Sequence, residues 1–169
     1  MSDKGFISFV FDAGSVFDEL NSLGRRGGDL THAMDGIGNS LREDVALTFR
    51  SQSDPWGTPW SPLSSVTLEK RRDEGKDARI LSDTGKLAES FSYIADRTSV
   101  EIGTTKVYAG THQFGAKKGQ YGTSKGGGPI PWGNVPARPM LPIINNSASL
   151  PESWLENIQD IITKHLVTE

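Results

Sequence analysis

Three histidines, His32, His112 and His165, are the side chains best suited to general acid–base work or metal ligation, and their placement argues for neither. None falls in an HExxH or HxH pattern, the spacings that bring two imidazoles to one face of an element. His165 lies on or beside an apolar helical stripe, where packing or helix-end electrostatics accounts for it. His112 stands beside Gln113 and Phe114 at the end of an expected strand, where an imidazole would orient a loop or contact a neighbouring subunit. The run SKGGGP is rich in glycine but lacks the GxxxxGK order, closed by Ser or Thr, that sets a lysine and a hydroxyl against nucleotide phosphates. Acid pairs such as Asp83 and Glu89, or Asp73 and Glu74, have the residue type for glycoside hydrolysis, yet their settings favour capping and solvation. Lys70, Arg71, Arg72 and Lys76 form a basic cluster, but Glu69, Asp73, Glu74 and Asp77 interleave with it and cancel its field, which suits ion pairing between subunits. With no cysteine in the chain, disulfides, thiolate metal sites and cysteine nucleophiles are excluded. The residues therefore point to no catalytic centre, no metal and no cofactor.

The elements around these residues must come from one core, because 169 residues divide poorly into two stable domains. One domain spanning 1–169 is expected. Hydrophobic residues make up only 35% of the chain and glycines number 19, so much of it should be loop or subunit-contact surface, and a homo-oligomer is expected. A net charge of −3 lacks the basic footprint of a protein that holds DNA through many phosphates. The FISFVF run is too short for a membrane span and lacks the layout of a signal peptide, so a soluble protein without a membrane partner is expected.

Residues Phe6 to Phe11 read as a buried strand. A short helix follows, capped at Ser15, carrying Val16, Leu20 and Leu23, and closed by Gly24, Gly27 and Gly28. A longer helix begins near Asp29, with Leu30, Met34, Ile37, Leu41 and Val45 in register, although Gly36 and Gly38 each weaken its middle by about 1 kcal/mol. Three prolines make DPWGTPWSP an ordered loop, and Ser64 to Asp73 form another helix. A further helix is expected from Asp83 or Thr84, with Leu87 and Phe91 on one face. Strands 91–95 and 99–103 then flank the turn Asp96-Arg97-Thr98, and Lys106 to Thr111 are expected to add another strand. Residues 116–135 hold six glycines and three lysines and read as a long, exposed, mobile loop. Past PARPMLPII, whose Met140, Leu141, Ile143 and Ile144 anchor the returning chain, Pro151 opens a helix with Trp154 or Leu155, Ile158, Ile161 or Ile162, and Leu166 as its stripe. The class is α+β: a small, mainly antiparallel sheet with N-terminal, central and C-terminal helices.

FISFVFD, DPWGTPWSPLSSVTLEKRR, ILSDTGKLAESF, VEIGTTKVYAGTHQFG and PARPML, in that order, resemble the phage virion morphogenesis, or tail-completion, family of Mu-like and P2-like tailed bacteriophages. The resemblance implies a structural protein of the head-to-tail junction rather than an enzyme, located in the virion and in the bacterial cytoplasm during assembly. It implies a ring, hexameric or dodecameric, that completes the tail or joins it to the head as a terminator or neck component. The implied partners are tail tube or sheath protein, head-completion, connector or portal-associated protein, and double-stranded DNA passing through the lumen without sequence specificity. Trp56, Trp60, His112, Phe114, Trp132, Arg138 and Met140 are the expected interface residues. For Trp56, Trp60 and Arg138 the alternative is that they pin loops on their own subunit. Lys117, Lys118 and Lys125 are the expected lumen contacts, and would serve a DNA-contacting head-completion or packaging accessory in the same way. A virion-associated cell-wall hydrolase is the remaining alternative, and it needs convergent acids in a cleft.

Overall fold

The computed structural model describes residues 7–15, 18, 30–144 and 147–168. Strand β1 (Ile7–Asp12) pairs antiparallel with β3 (Ser99–Thr104), and β3 pairs antiparallel with β2 (Ser92–Ala95), so the long strand lies in the middle. Register puts Phe9, Ile102 and Tyr93 in one cross-strand row and Phe11, Val100 and Ala95 in the next. These rows face the core, whereas the intervening row of Val10, Glu101 and Ile94 faces outward, as the two-residue period of a strand requires. The class is α+β.

Helix α1 (Thr31–Ser51) crosses the inner face and buries Met34, Ile37, Leu41 and Val45 completely. Its partner is α4 (Glu152–Thr168), which contributes Trp154 and Ile158 to the same core. The two glycines in the middle of α1 have a structural reason. A Cβ on Gly38 would stand 2.2 Å from the Tyr93 ring, so the missing side chain is what lets β2 lie on the helix. The Tyr93 hydroxyl then donates to Asp35 Oδ1 at 2.8 Å. Gly36 faces Ile161 of α4 instead, at an ordinary contact distance of 3.4 Å. Gln52, in left-handed conformation with φ 58°, ends the helix. Its amide donates to Phe49 O and Ile80 O and accepts from the Ile80 N–H, which ties the 80s turn to the helix end.

Helix α2 (Ser65–Asp73) is capped by Ser64, whose Oγ accepts from Thr67 N, and buries none of its residues. Two expectations are corrected. In place of a helix from Asp83, the chain makes turns and a single 3-10 turn at Ala88–Ser90, because Leu81 (φ 56°) and Gly85 (φ 71°) hold conformations no right-handed helix contains. Leu87 and Phe91 still reach the core, from turns. In place of a strand over 106–111, the chain forms α3 (Ala109–Phe114), which turns Ala109 and Gln113 inward together. The short strands β4 (Ile143–Ile144) and β5 (Ser147–Ala148) pair after PARPML. The expected helix carrying Val16, Leu20 and Leu23 lies outside the described residues.

Candidate assembly interface

Three sequence segments far apart in the chain meet at α3. From α3, the buried Gln113 side chain donates to Leu141 O at 2.8 Å and accepts from Met140 N and Leu141 N at 2.8 and 3.0 Å. One amide thus satisfies three backbone groups that a neighbouring strand would otherwise have to meet. The Arg138 N–H donates to His112 O at 2.7 Å, and the Arg138 guanidinium donates to Ser61 O and Pro62 O at 2.9 and 3.0 Å. Trp60 Nε1 donates to Pro139 O at 2.9 Å, while its ring meets Phe49 edge-on with centroids 5.5 Å apart. The DPWGTPWSP loop, the AGTHQF helix and PARPML are therefore one junction, fastened by side-chain to backbone bonds.

This junction divides the expected interface residues. Trp60, Arg138 and Met140 lie inside the subunit, where the bonds and contacts just described occupy them. His112 is half-buried against Tyr108, ring centroids 6.2 Å apart. Burial holds its pKa below the usual imidazole value, and the Arg138 charge adds to that. Trp56, Phe114 and Trp132 point to solvent, with Trp132 the barest at 74%. Gln113 is the residue that chemistry-first reading passes over, since a neutral amide titrates nothing. Its signal was positional: Ala109 and Gln113 stand four apart, as inward-facing residues of one helical turn do.

From this junction the chain projects an arm, residues 116–135. Gly115 (φ 75°) begins it, and a Cβ there would lie 2.8 Å from Val135 O, so glycine is what lets the two ends of the arm approach. Ala116 and Val135 exchange backbone hydrogen bonds at 2.9 and 2.8 Å. Farther out, Tyr121 N donates to Ile130 O and Ser124 N to Gly128 O, each at 2.8 Å. Isolated bridges rather than strands hold this run together, and its residues from 117 to 135 include none that is buried. Lys117, Lys118 and Lys125 are exposed along it, with no acid anywhere in the segment. The ring of Trp132 lies over Gly128, where a Cβ would come within 2.5 Å of it.

The two lysines of the basic cluster are paired within the subunit, Lys76 with Glu74 at 2.8 Å and Asp83 at 3.2 Å and Lys70 with Glu74 at 3.9 Å, whereas Arg71 is held by backbone carbonyls; Arg79, farther on, meets Asp77. Among the described residues no group of three or more His, Cys, Asp or Glu could hold a metal ion, and no helix is long and apolar enough to cross a membrane. Residues 12–167 match the sequence model of the phage virion morphogenesis family. The chain belongs to that family. No curated protein and no solved structure gives a significant match. Membership in the phage virion morphogenesis family gives the chain a part in building the phage particle, and the family's match runs from the end of β1 through the junction and the arm into α4.

Proposed function

We propose that the chain is a structural subunit of the head-to-tail junction, closing with copies of itself into a ring that completes the tail or joins it to the head. The observation that carries this is the arm: residues 117–135 bury nothing in their own subunit, yet they are ordered by backbone bonds and present Tyr121 and Trp132 to solvent. An isolated subunit gains little from such a segment, whereas a neighbour that covers the tryptophan gains a large, rigid contact. Heterologous contacts of this kind close into a ring when the rotation between subunits permits. Tail tube or sheath protein on one side, and a head-completion, connector or portal-associated protein on the other, are the partners that fit the reading.

Replacing Trp132 by alanine tests it. The variant should unfold at the wild-type temperature and fail to complement assembly, leaving free heads and tails in micrographs. Normal particles from a normally folded variant would sink the proposal. A second reading draws on the lysines: an arm of charge +3 on a chain of net −3 is a local basic patch, and it would touch DNA passing through the ring. Charge-neutral replacement of Lys117, Lys118 and Lys125 should then weaken salt-dependent DNA retention while leaving ring formation intact.

A further inference from the structure

Arg138 is 6% exposed, and among the described residues its guanidinium is met only by two backbone carbonyls, those of Ser61 and Pro62. Arginine is seldom this buried without a carboxylate, because removing the charge from water costs several kcal/mol that carbonyl dipoles only partly offset. Arg71, which is only partly buried, is likewise held by backbone carbonyls. Its guanidinium donates to Asp77 O and Arg79 O, at 3.0 and 2.6 Å, and to no carboxylate among the described residues. The two guanidiniums stand close enough to repel: burial, and then the Arg71 charge, push the Arg138 pKa down. Both line one cavity of about 340 Å³, together with Lys86, His112 and Tyr108. The only carboxylate on its wall among the described residues, Asp83, is engaged by Lys76 at 3.2 Å. His112 lines the same cavity and has a buried Nδ1 without a hydrogen-bond partner among the described residues.

We propose that this cavity, between α2, the 80s turn and α3, is a binding site for a single oxyanion, a carboxylate or a phosphate. Two of the five Arg138 N–H donors are used, and Arg71 keeps its Nε and one amino group, so two planar forks remain for the oxygens. Lys86 supplies a third positive charge from the rim. The anion would neutralise the repulsion between the arginines and fasten α2, which buries no residue of its own, to the junction. Two sources share this chemistry: an acidic side chain of an adjoining subunit, and a free phosphate ion.

The test titrates the full chain with inorganic phosphate, and separately with malonate, at constant ionic strength held by chloride. Nuclear magnetic resonance follows the amides of Lys86, His112 and Arg138 and the His112 ring. Saturable shifts are expected, with the His112 midpoint moving upward by about one unit as the anion arrives. Arg71→Met and Lys86→Met should each weaken binding about tenfold while the fold, read by the remaining amides, is unchanged. Shifts that never saturate, or that saturate alike in both variants, overturn the proposal. A sedimentation arm separates the sources: if saturating malonate dissociates the oligomer, the anion is a neighbour's side chain, and if the oligomer is indifferent it is a free ion. The titration does not depend on assembly, so a chain that stays monomeric would count against the ring and leave the anion site decided on its own data.

Discussion

Two glycines two residues apart on α1 should respond to alanine with opposite signs. In a helix interior alanine is favoured over glycine by about 1 kcal/mol, so on propensity alone both substitutions stabilise. At Gly36 the new methyl meets only Ile161 Cγ2, at 3.4 Å, and the side chain of Ile161 has room to adjust. Gly36→Ala should therefore gain about 0.5–1 kcal/mol. At Gly38 the methyl would sit 2.2, 2.4 and 2.7 Å from three carbons of the Tyr93 ring. A planar ring on a paired strand cannot fold aside as an aliphatic tip can, so it must leave the helix. Overpacking of that kind costs about 1–3 kcal/mol, and losing the Tyr93 to Asp35 bond costs about 1 kcal/mol more. Against the gain in propensity, Gly38→Ala should destabilise by about 1–3 kcal/mol, which lowers the melting temperature by about 2–4 °C per kcal/mol for a chain of this size. Urea unfolding followed by circular dichroism measures both variants. Repeating Gly38→Ala in a Tyr93→Ala background isolates the clash, because there the methyl has space and the substitution should become stabilising. Equal stabilisation by the two alanines in the wild-type background would refute the packing argument.

Asp44 offers a pH-dependent test: burial, and then the adjacent Glu43, raise its pKa to about 6, and its Oδ2 has no partner among the described residues. The folded state thus holds that proton more tightly than the unfolded chain, so stability is fully present below about pH 4 and is lost as pH rises through about 6. After discounting for its half-exposure, Asp44→Asn should stabilise by about 1 kcal/mol at pH 8 and by nothing at pH 4, as urea midpoints at the two pH values will show. Gln113→Leu should cost about 2–4 kcal/mol by orphaning Met140 N, Leu141 N and Leu141 O, and hydrogen exchange should accelerate at those two amides. Trp60→Phe keeps the ring against Phe49 and loses only the bond to Pro139 O, for about 1 kcal/mol in thermal unfolding, whereas Trp60→Ala should cost about 3–5 kcal/mol.

What could be read from the chain follows from the range of the forces involved. β1, the β2–β3 hairpin, α1 and α4 each carry a period of 2 or 3.6, and α2 carries its Ser64 cap, so neighbouring residues suffice to place them. The misjudged elements are those whose conformation is set from far away in sequence. In place of the strand expected over 106–111 stands a helix that turns Gln113 inward beside Ala109, where Met140 and Leu141 bond to it. Asp83 and Thr84 look like a cap, yet Gly85 and Leu81 take positive φ because the turn answers to Gln52, 28 positions before Ile80. Among the site residues, type revealed the tryptophans and Arg138 but not which of them faces outward, since it is through the distant Pro139 and Phe49 that Trp60, and not Trp56, is drawn inward. The clamp built by Gln113 had no chemical signature at all.

The pairing of Ala116 with Val135 has a mechanical consequence. Because both feet of the arm are bolted side by side, through Gly115 to α3 on one side and through Arg138 and Gln113 to the core on the other, the arm works as a cantilever and not as a tether. A load applied at the Lys125 tip is delivered to the junction of Trp60, Arg138 and Gln113, instead of being absorbed by a slack hinge. The same geometry frees its length: residues can be added or removed beyond the paired feet at a closure cost that grows only with the logarithm of the loop, leaving the core untouched. Reach is thereby uncoupled from fold, so the length of the arm can be changed by editing the tip alone.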